Sequence, residues 1–268
     1  MKKDVSARVI GTLFLAGCCI IGITPIALGI MRSLFIDSAF TEFNYFSSYR
    51  EVVHTEQILP AFINSILIVI LSVPMNVGVV VLASYGLSKY HFKGQGFIYL
   101  MLLSALMIPP ATVMYPCFMI IRDLGLINSI FAVILTEVAY GIPFNLLMAK
   151  NYFDDIPDEL MEAARIDGAG SFRILHSILV PVAKPVLFVI VLWSFLGAWN
   201  DYMWPMLFFS DSSKKTVTLL PQYFMSAYSQ RYDNLFAALF IIMIPTIIIY
   251  ISLQKYFEQG VVSGAIKQ

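Results

Sequence analysis

Few residues in this chain are placed to do chemistry, and most of those stand inside apolar runs. Glu137 lies near the middle of the run 127–149. An ionised carboxylate at bilayer depth costs at least about 2.5 kcal/mol, so Glu137 is expected to face protein or water. It could accept hydrogen bonds from a polar solute or contact a gate. A protonated or hydrogen-bonded Glu stitching helices together is the alternative. Trp199-Asn200-Asp201-Tyr202 sets an amide and a carboxylate beside aromatic rings. That combination suits sugars, which offer apolar ring faces edged by hydroxyls; an interfacial aromatic anchor with a helix-packing Asn is the alternative. Asn145, and Asn64-Ser65 at the start of another run, could line a polar path or serve small–polar helix packing.

Other chemistries find no residues in this sequence. No G-x-x-x-x-G-K-[S/T] occurs, and Gly94-Gln95-Gly96 and Gly168-Ala169-Gly170 are only turn glycines, so P-loop hydrolysis of ATP by this chain is excluded. His54, His91 and His176 fall outside the apolar runs, with no HExxH and no Ser/His/Asp order. Cys18, Cys19 and Cys117 are an odd set inside apolar runs, neither a disulfide framework nor a metal pattern. With 17 basic and 17 acidic residues the formal charge is zero, and nothing points to nucleic acid.

The elements that position these residues follow from composition. Hydrophobic residues make up 59% and charged residues 13%, which excludes an ordinary soluble domain. A spanning helix needs about 20 mainly apolar residues. Six segments qualify: 9–31, 60–87, 96–121, 127–149, 183–209 and 235–254. Pro25, Pro74, Pro109–Pro110, Pro143, Pro205 and Pro245 are expected to kink them, which membranes tolerate where neighbours re-satisfy the backbone. The first run follows Lys2, Lys3 and Arg8 like a signal peptide, but it is about twice the usual length of a signal h-region, so an uncleaved helix is expected. Lys and Arg favour a cytoplasmic N-terminus. That choice leaves Arg32, Arg50, Arg122, Lys214, Lys215 and Arg231 outside and puts the rest inside, from Lys2 to Lys267. Six spans return the C-terminus to the cytoplasm. Trp199, Tyr202, Trp204, Tyr223, Tyr228 and Tyr232 cluster around the outer loop 210–234, as an interfacial aromatic belt would. No repeat or second soluble domain is visible, so 1–268 reads as a single domain.

The segment 150–182, between the fourth and fifth runs, is hydrophilic. Pro157 suits a first helical turn, with Asp158, Glu159 and Glu162 near the helix N-terminus. Leu160, Ala163, Ala164 and Asp167 share one face at helical spacing. Gly168-Ala169-Gly170 breaks the helix, Ser171 is suited to cap the next, and Phe172, Leu175, Ile178 and Leu179 form its apolar face before Pro181. By composition alone this is an amphipathic helix on the membrane surface. Within it, however, Glu162, Ala163, Ala164, Gly168, Ile178 and Pro181 fall in one register, with Val180 where the pattern has Leu.

That register resembles the EAA loop of binding-protein-dependent ABC importer permeases. Trp199-Asn200-Asp201-Tyr202, Asn64-Ser65, Ile108-Pro109, Gly125-Leu126-Ile127-Asn128 and Ile156-Pro157 are similar to the carbohydrate branch, of the maltose-permease-G type. The resemblance implies an all-α polytopic membrane protein of six transmembrane helices with a cytoplasmic coupling helix. It implies a plasma-membrane subunit of a bacterial or archaeal ATP-driven sugar importer, with both termini cytoplasmic. Glu162, Ala163, Ala164, Gly168 and Gly170 would couple to an ATPase. Glu137, Asn145, Asn200 and Asp201 are pathway candidates. Asp211, Lys214, Lys215 and Pro221 are candidates for meeting a solute-binding protein. The implied partners are a second homologous permease, two ATP-binding subunits carrying ATP and magnesium, an extracytoplasmic solute-binding protein and lipid, with no cofactor or metal in this chain. An ion-coupled secondary transporter or channel subunit is the other function class. It would carry several intramembrane ionisable residues and no docking helix.

Overall fold

In an apolar medium each backbone N–H and C=O needs a partner, and a helix supplies these within one segment. The structure is a computed structural model and describes residues 2–36, 40–225 and 231–265. Among these the chain is almost wholly helical and has no named strand. The elements are α1 (Lys2–Leu34), α2 (Ser47–Val53), α3 (Ile58–Lys89), α4 (Gln95–Ser104), α5 (Pro110–Asp123), α6 (Ile130–Asp154), α7 (Glu159–Ile166), α8 (Ser171–Ile174), α9 (Val180–Val182), α10 (Lys184–Asn200), α11 (Met203–Phe208) and α12 (Tyr232–Ala265). Tyr228 of the expected aromatic belt and Lys267 lie outside the described residues.

Among the described residues, four helices are long and apolar enough to cross a membrane, at Gly11–Leu34, Ile58–Lys89, Ile130–Asp154 and Tyr232–Gln254. They match the expected runs 9–31, 60–87, 127–149 and 235–254. Two bent pairs raise the number to six if each pair is one span: Gln95–Met107 with Pro110–Asp123 at 106°, and Ser171–Val182 with Lys184–Asn200 at 82°. Some hydroxyls on the apolar helices return to their own backbone: Thr24 to Ile20 O at 2.7 Å, Thr136 to Ala132 O at 2.8 Å and Ser252 to Ile248 O at 2.7 Å.

Two expected spans are not single helices. The run 96–121 breaks at Ile108–Pro109, both extended (ψ 117° and 137°), because a residue before proline is driven out of the helical region. Pro109 is itself followed by Pro110, so both residues ahead of α5 are held extended. The run 183–209 stops at Asn200: Asp201 is extended, and its Oδ1 accepts from Met203 N (2.9 Å) and Trp204 N (3.3 Å), which starts α11 afresh. At Pro25, Pro74, Pro143 and Pro245, by contrast, one helix runs through the proline.

The chain divides into two compact units. One comprises Met1–Ile58 and Leu220–Ile244. Here the rings of Phe236 and Phe240 close on Gly29 of α1, 3.3 Å from where a Cβ would stand. Ser48 donates to Asp233 at 2.7 Å, and Arg231 pairs with Asp233 and Glu51. The other unit comprises Leu59–Leu219 and Pro245–Gln268. Its core joins α3, α6 and α10 through Val80, Val81, Phe153, Val186 and Ile190, and the buried Met161, Ala164, Ile174 and Leu179 extend it into the 150–182 segment.

Candidate functional site

Within the second unit, α6 presents Glu137, Tyr140, Gly141, Phe144 and Asn145 along one stripe, the i, i+3, i+4 spacing of a single helix face. Two cavities of about 370 Å³ each open on this stripe. Glu137, Tyr140 and Gly197 line both of them. Gly197 of α10 lets the carboxylate approach: a Cβ there would sit 3.2 Å from Glu137 Oε2. The first cavity adds Trp193 and Phe144, packed edge to face at 5.6 Å between centroids. The second adds Asn200, Asp201 and Trp204, and there the Glu137 and Asp201 carboxyl groups adjoin. Acceptors beside aromatic faces suit hydroxyl donors on an apolar ring. Glu137 thus faces a protein-lined cavity, as the cost of burying a carboxylate requires.

Asn145 lines the first cavity with its amide nitrogen already engaged. It is 2% exposed, and its Nδ2 donates to Asn76 Oδ1 (2.7 Å) and Ser194 Oγ (3.0 Å), while Asn76 Nδ2 donates to Val138 O (3.1 Å). This polar knot ties α3, α6 and α10. Asn200 turns back to Leu196 O at 3.0 Å. Trp199 (2% exposed) and Trp204 (6%) are core residues rather than members of an interfacial belt, so the aromatic faces at the cavities are those of Tyr140, Phe144, Trp193 and Trp204.

Asn64 and Ser65 hold the loop that follows α11. Asn64 Nδ2 donates to Ser213 O (2.9 Å) and Lys215 O (3.1 Å), and Ser65 Oγ accepts from Val217 N (3.0 Å). Asn128, left-handed at φ 62°, accepts from Ser210 N (2.8 Å) and Asp211 N (3.0 Å), and Thr218 donates to Asp201 O at 2.6 Å. These bonds, with Val217 and Leu219 buried, leave Asp211–Lys214 as an exposed tip of the described stretch 210–219. The Ser213 amide and hydroxyl at 2.9 Å hold the Asp211 carboxyl below its usual range. Lys215 is half-buried, and so is Pro221, which belongs to the first unit.

The 150–182 segment folds as helix, turn and helix, with changes of detail. α7 begins at Glu159 with Asp158 as its N-cap residue, so Pro157 precedes the helix. Its end is a Schellman motif: Ala169 N donates to Ala164 O (2.9 Å) and Gly168 N to Arg165 O (3.0 Å), around Gly168 at φ 77°. Gly170 is ordinary extended backbone (φ −74°, ψ 165°), so only Gly168 needs glycine's freedom. The expected Ala163–Ala164 stripe is split. Ala164 and Met161 face this chain's own core, while Ala163 and Leu160 are exposed, together with Ile166 (87%) and Phe172 (76%). Ser171 caps nothing; its Oγ accepts from Tyr90 OH at 2.8 Å. A five-residue π-helix, Leu175–Leu179, then leads to the bend at Ala183.

The sequence reading missed Asn76, Tyr140, Trp193 and Ser194, and also Tyr85 and Lys89 of α3 with Tyr90 just beyond it, which grip the segment. Helical spacing from Glu137 would have found Tyr140. The others meet their partners only across helices.

The chain resembles known proteins along most of its length. It is 35% identical over 206 residues to the probable ABC transporter permease protein YurM of Bacillus subtilis, covering 77% of this chain and 69% of that one. It is 30% identical over 279 residues to the trehalose/maltose transport system permease protein MalG of Thermococcus litoralis, covering 100% and 99%. In fold it matches, at a TM-score of 0.85 and 24% identity, a chain of a bacterial ABC transporter involved in the import of the acidic polysaccharide alginate, over 96% of this chain and 98% of that one. The family model described as the binding-protein-dependent transport system inner membrane component matches residues 53–263, and the chain belongs to that family of ABC importer permeases.

Proposed function

We propose that this chain is one of two permease subunits of an ATP-driven sugar importer, most simply of an oligosaccharide. In this reading the whole of 1–268 forms one permease domain of six transmembrane helices, each bent pair counting as one span, with both termini cytoplasmic. The 150–182 segment is the coupling loop, Glu162, Ala163 and the Gly168 turn shape its docking surface, and ATP and magnesium belong to separate subunits.

The observation that carries this reading is the division of the loop into two faces. Met161, Ala164 and Ile174 are buried in the permease core, whereas Ile166 and Phe172, large and apolar, are uncovered on the other side. A hydrophilic segment with such a face is suited to a groove on a soluble partner. The sugar assignment rests on the trehalose/maltose relative and on carboxyl, amide and aromatic groups meeting in the Glu137 cavities. The exposed tip at Asp211–Lys214 is the part of the outer loop proposed to meet the solute-binding protein.

The test is uptake of labelled oligosaccharides into vesicles holding the assembled importer. Transport requiring ATP inside and lost on omitting the ATPase is expected. Glu162→Lys is expected to lower transport and ATPase copurification together. Uptake without the ATPase, or driven by an ion gradient alone, would refute the reading.

A further inference from the structure

The loop joins α10 through the chain, yet that connection is poor at transmitting force. It passes a π-helical stretch and then turns by 82° at Ala183. The helix that grips the loop most directly is α3, which is not its neighbour in sequence. Lys89, the last residue of α3, donates to Ile156 O at 2.6 Å and to Asp158 Oδ1 at 2.8 Å, fastening the loop where α7 begins. The Lys89 side chain is only 3% exposed, so its charge depends on these two acceptors and not on water. Beyond the Gly168 turn a second hold forms. Tyr85 OH lies 3.0 Å from Tyr90 OH, and the two phenols donate to Ser171 O (3.3 Å) and Ser171 Oγ (2.8 Å). The exposed face with Ile166 lies between the two holds.

At its other end α3 carries Asn64, bonded to the outer-loop carbonyls of Ser213 and Lys215. From Asn64 to Lys89 the helix is unbroken and spans about 38 Å at 1.5 Å per residue. We propose that Lys89 is a positioning residue for coupling: it makes α3 move with the docking loop and so links the ATPase side to the outer loop through one rigid element. This rests on reading the loop as the ATPase docking element.

The test uses the full importer with its own ATPase, second permease and binding protein in proteoliposomes. Two quantities are read: the ATPase subunit that copurifies, and the solute carried per ATP hydrolysed. Lys89→Met keeps the length of the side chain and removes its donors. The expected result is normal copurification with transport per ATP lowered at least about fivefold, the lower end of typical coupling energies, and Lys89→Arg close to the unaltered protein. Asp158→Asn, a surface change that leaves the buried Lys89–Ile156 bond in place, is expected to give a smaller fall in the same direction. An unchanged ratio in Lys89→Met overturns the proposal, and so does loss of the ATPase from Lys89→Met that Lys89→Arg does not restore. The docking reading fails separately, if Ile166→Asp and Phe172→Asp both keep the ATPase bound.

Discussion

Replacing Gly168 with valine isolates one energetic effect. A Cβ at this position would meet nothing within 4 Å, so the substitution clashes with no neighbour. The whole penalty lies in the backbone. At φ 77° an L-residue is less stable by about 1–2 kcal/mol, with a β-branched one at the upper end. The alternative is to relax to negative φ and give up Ala169 N to Ala164 O and Gly168 N to Arg165 O, each worth about 1 kcal/mol net. Both routes cost about the same, so the turn is weakened by about 1–2 kcal/mol, and its opening becomes about 5–30 times more frequent. Hydrogen exchange across 159–176 in the assembled importer reads this directly, with faster exchange of the Ala169 amide expected. ATPase copurification is expected to weaken in parallel, because the closed turn fixes the path of the chain between the exposed Ile166 and Phe172. Gly168→Asn, whose side chain tolerates the left-handed region, is expected to recover most of both. Exchange in Gly168→Val no faster than in the unaltered protein, or Gly168→Asn as damaging as valine, would refute the reasoning.

Gly141→Ala places a Cβ 2.8 Å from Asn76 Nδ2 and forces the knot with Asn145 and Ser194 apart. A loss of about 1–2 kcal/mol is expected, read as a lower Tm in detergent, and an unchanged Tm contradicts it. Glu137→Gln replaces a carboxyl group in the cavities by an amide, so KM for the solute is expected to rise about tenfold with basal ATP hydrolysis unchanged; an unchanged KM assigns Glu137 to helix packing. Lys214→Glu alters only the exposed tip of the outer loop. It is expected to reduce stimulation by the loaded binding protein at low salt, and the reduction should shrink as salt screens the surface; stimulation equal to that of the unaltered protein at low salt would remove Lys214 from that interface.

The apolar runs and the EAA register could be read without a structure, because each is local. A 20-residue apolar segment has few ways to satisfy its backbone outside a helix, and Glu162 to Pro181 are spaced along one stretch of chain. The Gly168 turn was legible for the same reason, since a left-handed C-terminal residue is nearly always glycine. The prolines were only half legible: the sequence marks Pro109–Pro110 and Pro143 alike, yet the chain bends by 106° at the first while one helix runs through the second. Whether neighbours re-satisfy the freed backbone is a tertiary matter. The same holds for which face of a helix looks inward. Of the adjacent Ala163 and Ala164 in the 150–182 segment only Ala164 is buried, and Trp199, aromatic and near a span end, is core. Asn76 with Ser194, and Lys89 with Ile156, pair residues more than sixty positions apart. Local sequence determined where helices form and where the cassette turns. Only tertiary packing decided which polar groups meet across helices, because their partners are set by distances in space that no spacing along the chain encodes.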